Sequence, residues 1–141
     1  MAIYSLSQRT TNFTSAQASW ELRTTATDRV VVLEIGITVN TATAQTLGLG
    51  RPAAQGVTPV NVIFQAEDFA APASTTNASL SWGTSPTVPA QFFRRVSLPA
   101  TAGAGIVWTF PRGLIVPVSA SLVIWNITTA VACDVWCVVD E

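Results

Sequence analysis

The sequence predicts an all-β domain of the sandwich or barrel type, and three observations carry that prediction. Apolar and polar residues alternate with period two through several stretches, the pattern of strands with one buried face. Clusters rich in Pro, Gly, Ser and Thr punctuate the chain about every 8–12 residues, the spacing of short strands joined by turns. Charged residues make up only 11% of the chain while 49% are apolar, against about a quarter charged in an ordinary globular domain. Low charge with many Val, Thr and Ala residues suits strands covered on both faces.

The elements follow in order. Residues 1–17 are polar and weakly patterned and read as an extended N-terminal arm ahead of a compact domain over 18–141. In "ASWELRTT", Trp20 and Leu22 share one face of a strand, with Glu21 and Arg23 on the other. Over 29–39, Val31, Leu33, Ile35, Ile37 and Val39 form a core face, and Val30, Val32, Glu34, Gly36 and Thr38 a half-polar one. Further strands are expected in "AQTLGLG", "VNVIFQA", "ASLSWG", "QFFRRVSL", "GIVWTF", "GLIV", "SLVIWNI" and "ACDVWCVVD". "RPAAQG", "GTSPTVP", "PATAGAG", "PRG", "PVSA" and "TTA" are turns, and "FAAPASTTNAS" is a long mobile loop. Ile106, Trp108 and Phe110 share a face of a strand that Pro111 is expected to stop. In the last strand Val131, Cys133, Val135, Cys137 and Val139 face the core, opposite Asp134, Trp136, Val138 and Asp140.

A chain of 141 residues suits one domain and can bury a core without staples. The net charge of -1 offers no field for nucleic acid, and no basic stripe is present. No window approaches the ~18 apolar residues of a membrane helix, and no signal peptide is visible at the start. The expected partners therefore include neither nucleic acid nor membrane.

Catalytic constellations are missing. Without His there is no Ser-His-Asp or Cys-His arrangement and no cupin-type metal site. Without Lys there is no Schiff base and no P-loop. Glu67-Asp68 reads as a solvated strand end, since a glycosidase needs carboxylates set across a cleft. "GLGRPAAQG" lacks dinucleotide-site spacing and is a turn. The expectation is no enzyme, no catalytic residue, no metal and no cofactor.

Cys133 and Cys137 lie four residues apart on one strand face, about 13 Å at 3.3 Å per residue, too far for a mutual disulfide. They read as core residues, with an intermolecular bridge as the alternative. Arg94 and Arg95 point to opposite faces of "QFFRRVSL", either toward a partner or as snorkelling side chains of an edge strand. Asn12, Asn77 and Asn126 stand in N-x-[ST] patterns, discounted as glycosylation sites without a secretory signal. Trp20 and Trp108 alternate with core residues. Trp82, beside a turn in "LSWGTSP", is the tryptophan most reachable for a glycan, and a carbohydrate-binding module is the alternative function.

The stretch "QFFRRVSLPATAGAGIVWTFPRGLIVPVSASLVIWNI" followed by a closing strand resembles the second half of small jelly-roll proteins of tailed bacteriophage particles. The resemblance is carried by "PRGL-V-P-S-SLV-WN" and covers the last third of the chain, with the 31–39 strand loosely included. It implies a single jelly-roll β-sandwich packed as in tumour necrosis factor. It also implies a non-enzymatic structural protein of the virion, a capsid decoration or head–tail appendage assembled in the bacterial host cytoplasm. Its partners would be copies of itself, as a homo-oligomer and first of all a trimer, and the major capsid or tail protein. The family has no catalytic set to carry over. Self-association also follows from the residues: 122–127 is apolar on both faces, and Trp136 and Val138 stand on the outer face of the last strand. Such surface marks an interface. Trp125, Trp136 and Val138 are the expected subunit contacts.

Overall fold

The computed structural model describes residues 2–11, 16–128 and 131–141. Every regular element among them is a strand. In chain order these are β1 (Ile3–Arg9), β2 (Gln17–Arg23), β3 (Val30–Val39), β4 (Gln45–Gly50), β5 (Asn61–Ile63) and β6 (Gln65–Ala66), then β7 (Asn77–Ser79), β8 (Phe92–Leu98), β9 (Gly105–Val116), β10 (Ser121–Asn126) and β11 (Cys133–Asp140). They form two antiparallel sheets, ordered β6-β1-β11-β3-β9 and β5-β7-β2-β10-β4-β8. The sheets pack face to face as a β-sandwich. One continuous core lies between them, built on Trp20, Leu22, Val32, Ile35, Ile37, Leu49, Leu122, Ile124 and Val139.

Three sequence expectations need correction. Residues 3–9 are not an arm. They form β1, paired along its length with β11 and at its start with β6. Tyr4 is buried and donates its hydroxyl to the Pro72 carbonyl at 3.0 Å, and Leu6 packs on the core. The signal was hidden because Gln8 and Thr10 take the next inward positions. The Gln8 side-chain oxygen accepts the Trp20 indole N–H at 3.1 Å, and Thr10 is buried, its hydroxyl accepting the Cys133 N–H at 2.9 Å. Of the expected arm and its N-x-[ST] site, residue 1 and residues 12–15, Asn12 among them, lie outside the described residues.

In β3 the core face changes parity. Val30 and Val32 are buried with Ile35, Ile37 and Val39, whereas Val31 and Leu33 are only half-buried. The pairing with β9 shifts between Val32 and Glu34, and a bulge of this kind flips which residues face inward. Nor does Pro111 end its strand. β9 runs from Gly105 to Val116, and four of its residues, Phe110 to Gly113, lie between the pairs Glu34–Thr109 and Val32–Leu114. Pro111 is tolerated because β9 is an edge strand, where a missing N–H breaks no ladder. Gly113 has φ +70°, and a Cβ there would meet Val31 Cγ1 at 2.1 Å, so the bulge depends on glycine.

The loop expected to be mobile is tied down beyond Pro72. Ser74 Oγ donates to Glu141 Oε2 at 2.6 Å, and the Thr75 amide and hydroxyl donate to Oε1. Burial pushes the Glu141 carboxyl up, but these hydrogen bonds outweigh it and hold its pKa below the ordinary value. A depressed carboxylate pKa contributes stability above the unfolded pKa and loses it as pH falls through the folded one. Glu141→Gln is therefore expected to be less stable than the parent at pH 7. The gap should close as the pH drops below about 4, as thermal melts across pH will read.

Cys133 and Cys137 are free and buried, Cys133 accepting from Gln45 Nε2 at 2.7 Å. Burial pushes both thiols up, Cys137 far more, so neither is a ready nucleophile. Thiol titration should count two free thiols in unfolded, unreduced protein and very slow reaction in the native state. A bonded pair would refute the β11 register.

Candidate functional site

The outer face of the second sheet carries its own small core. Val123 and Trp125 of β10 point away from Leu122 and Ile124 and cluster with Ala18, under Trp82, Phe92 and Ile127. Room for this layer comes from β4. A Cβ at Gly48 would meet the Phe92 ring at 2.5 Å, and one at Gly50 would meet Pro89 at 2.6 Å. Trp125 is thus only 7% exposed within a single chain. The apolar second face of β10 is covered by the molecule's own loops.

Trp82 is fixed by a buried carboxylate. Glu21 stands beside Val123 on this outer face, wholly buried. Its Oε2 accepts the Trp82 indole N–H at 2.6 Å and the Arg23 guanidinium at 2.7 Å, and its Oε1 accepts the Gly56 amide at 3.1 Å. Arg23 also donates to the Gly56 carbonyl at 2.8 Å. The indole sits where a Gly56 side chain would be, 2.0 Å from that Cβ position. With its N–H taken and one side packed, Trp82 has little left to offer a glycan.

On the outer face of the first sheet, Trp136 lies over Gly36 of the neighbouring strand. A Cβ on Gly36 would fall 1.8–2.4 Å from three atoms of the indole. The indole N–H donates to Glu34 Oε1 at 2.9 Å. Val138 stands opposite Glu34 on one side and Ser5 on the other, and both Trp136 and Val138 stay partly exposed. The Arg9–Asp134 ion pair, with Nε to Oδ1 at 2.7 Å, closes one end of this face.

The side of the sandwich where both sheets end is the most distinctive surface. β8 and β9 are the terminal strands of their sheets, and each pairs on one edge only. Arg94 pairs with core-facing Leu49 and so points between the sheets, while Arg95, opposite Gly48, points outward. The Arg94 guanidinium lies 5.5 Å from the Phe110 ring centroid, and that of Arg51 lies 5.0 Å from Phe93. Arg51 also donates to the Ile115 carbonyl. An open cavity of about 390 Å³ lies here, lined by Arg94, Phe110, Pro111, Arg112 and Gly113. Phe93 is exposed on β8, and Val107 and Ile115 are exposed along β9. Among the described residues, the only arginines paired with carboxylates are Arg9 and Arg23. Arg51, Arg94, Arg95 and Arg112 hold four positive charges on this side without a carboxylate.

No family model, curated protein or solved structure matches this chain.

Of the residues singled out in the sequence, the structure brings Trp82 and Trp125 into one cluster and places Trp136 and Val138 together on the opposite face. Arg94 and Arg95 diverge as expected. Sequence reasoning missed Arg51, Phe110 and Arg112, because only the bulge in β9 and the β4–β8 pairing gather them. Among the described residues, no group of three His, Cys, Asp or Glu could hold a metal. Asn126 of the N-x-[ST] patterns is wholly buried, and Asn77 lies in β7.

Proposed function

We propose that this chain is a non-enzymatic structural protein of a bacteriophage particle, a capsid decoration or appendage component that acts as a homo-oligomer, a trimer before other states. The fold supports a jelly-roll reading. The eight longer strands lie in the orders β1-β11-β3-β9 and β2-β10-β4-β8, the interleaving that two Greek keys leave behind. The observation that carries the assembly is the β8/β9 side. Unpaired strand edges, exposed Phe93, Val107 and Ile115, and four arginines without carboxylates form a surface suited to another protein. A partly exposed Trp136 and Val138 give a second apolar patch, in keeping with contacts on more than one face.

The carbohydrate-binding alternative has less behind it, because the Trp82 N–H is already bound by Glu21. Two measurements test the proposal together. Light scattering of the purified chain should give a mass above that of one copy, and the chain should co-sediment with purified phage particles. A chain that is monomeric and missing from particles would sink it.

A further inference from the structure

The four arginines on the β8/β9 side have a counterpart in the same chain, on the opposite edge of the molecule. Immediately after β6, Glu67, Asp68 and Phe69 project into solvent, and Phe69 is fully exposed. Hydrogen bonds define the turn that carries them. The Glu67 amide donates to the Ile3 carbonyl at 2.9 Å, and the Ala71 amide donates to the Asp68 carbonyl at 3.0 Å. Asp68 Oδ1 also accepts the Ala70 amide at 2.9 Å, the side-chain turn that favours Asp at this position. A bare phenyl ring preceded by two carboxylates on a hydrogen-bonded turn presents aromatic and acidic groups together to solvent.

Its chemistry matches the β8/β9 cavity. That cavity has an aromatic floor in Phe110, apolar Pro111, two guanidinium groups from Arg94 and Arg112, and no carboxylate in its lining. It is an open cavity of about 390 Å³. A phenyl ring can stack there on guanidinium or aromatic faces while the carboxylates pair with arginine. The chain cannot satisfy itself. β6 and β9 are opposite edges of one sheet, with β1, β11 and β3 between them, roughly 19 Å apart at ~4.8 Å per strand.

We propose that the Glu67, Asp68 and Phe69 turn of one copy seats in the Arg94, Phe110 and Arg112 cavity of a second copy. Such a contact joins two different patches, so it is heterologous, and it builds a ring when the rotation between copies closes and an open filament when it does not. It deepens the self-assembly reading above and rests on it. Arginine and aromatic anchors of this kind are where interface energy concentrates.

Phe69→Ala and Arg112→Glu each should weaken self-association at least about thirtyfold, while the far-UV spectrum stays unchanged because both residues are exposed. A mixture of the two variants is the sharper test. The first lacks a knob and the second lacks a socket, so one intact contact remains per pair. The mixture should form heterodimers and nothing larger, which native mass spectrometry resolves. Variants that assemble like an oligomeric parent would overturn this contact and leave self-assembly standing. A monomeric parent would overturn both. Unchanged self-association with lost particle binding would assign the cavity to another protein and also overturn the proposal.

Discussion

Glu21→Ala should destabilise the fold by about 3–5 kcal/mol, the usual cost of removing one member of a buried ion pair. Glu21 is wholly buried, and its carboxylate satisfies three donors: Trp82, Arg23 and the Gly56 amide. Alanine leaves a largely buried guanidinium without its counter-ion and two N–H groups without acceptors. Glu21→Gln keeps the shape and one acceptor oxygen, so a smaller loss is expected. Denaturant titration followed by tryptophan fluorescence measures both. A loss under about 1 kcal/mol for Glu21→Ala would mean that the network is not formed.

Trp125→Ala should cost a similar amount, about 3–5 kcal/mol for removing a large aromatic from a packed site. The loss should appear as lower unfolding stability of the chain at any protein concentration, because Trp82, Phe92 and Ile127 of the same chain cover the ring. Were Trp125 instead a subunit contact, the variant would dissociate while its single-chain stability held. Combining Trp125→Ala with Glu21→Ala should give less than the summed loss, because Glu21 anchors the Trp82 that packs against this cluster.

The strands were legible wherever inward positions are apolar. Alternation placed Trp20 and Leu22 in β2 and Cys133 to Val139 in β11 on the correct faces. It failed at β1, where Gln8 and Thr10 face inward and satisfy buried hydrogen bonds, so a polar pattern concealed a central strand. It failed again in β3, where a bulge changes parity, whereas in β9 it placed Ile106, Trp108 and Phe110 on the core face and missed only that the strand continues past Pro111. Pro111 and Gly113 read as a turn and are the bulge itself. The double-sided apolar character of β10 was visible as residues 122–127. What covers it was not, since Trp82 and Phe92 reach it from distant segments. The candidate contact surface was the least legible part. Arg51, Arg94 and Arg112 come from three separate segments, and only the sheet order shows that Phe69 stands on the far edge.

Multi-angle light scattering of the purified chain at micromolar concentration bears most directly on whether this fold works by self-assembly. A closed ring of copies joined edge to edge requires a discrete homo-oligomer, with the trimer at three times the 14.9 kDa chain mass as the expected species. A stable 14.9 kDa monomer at that concentration would contradict it.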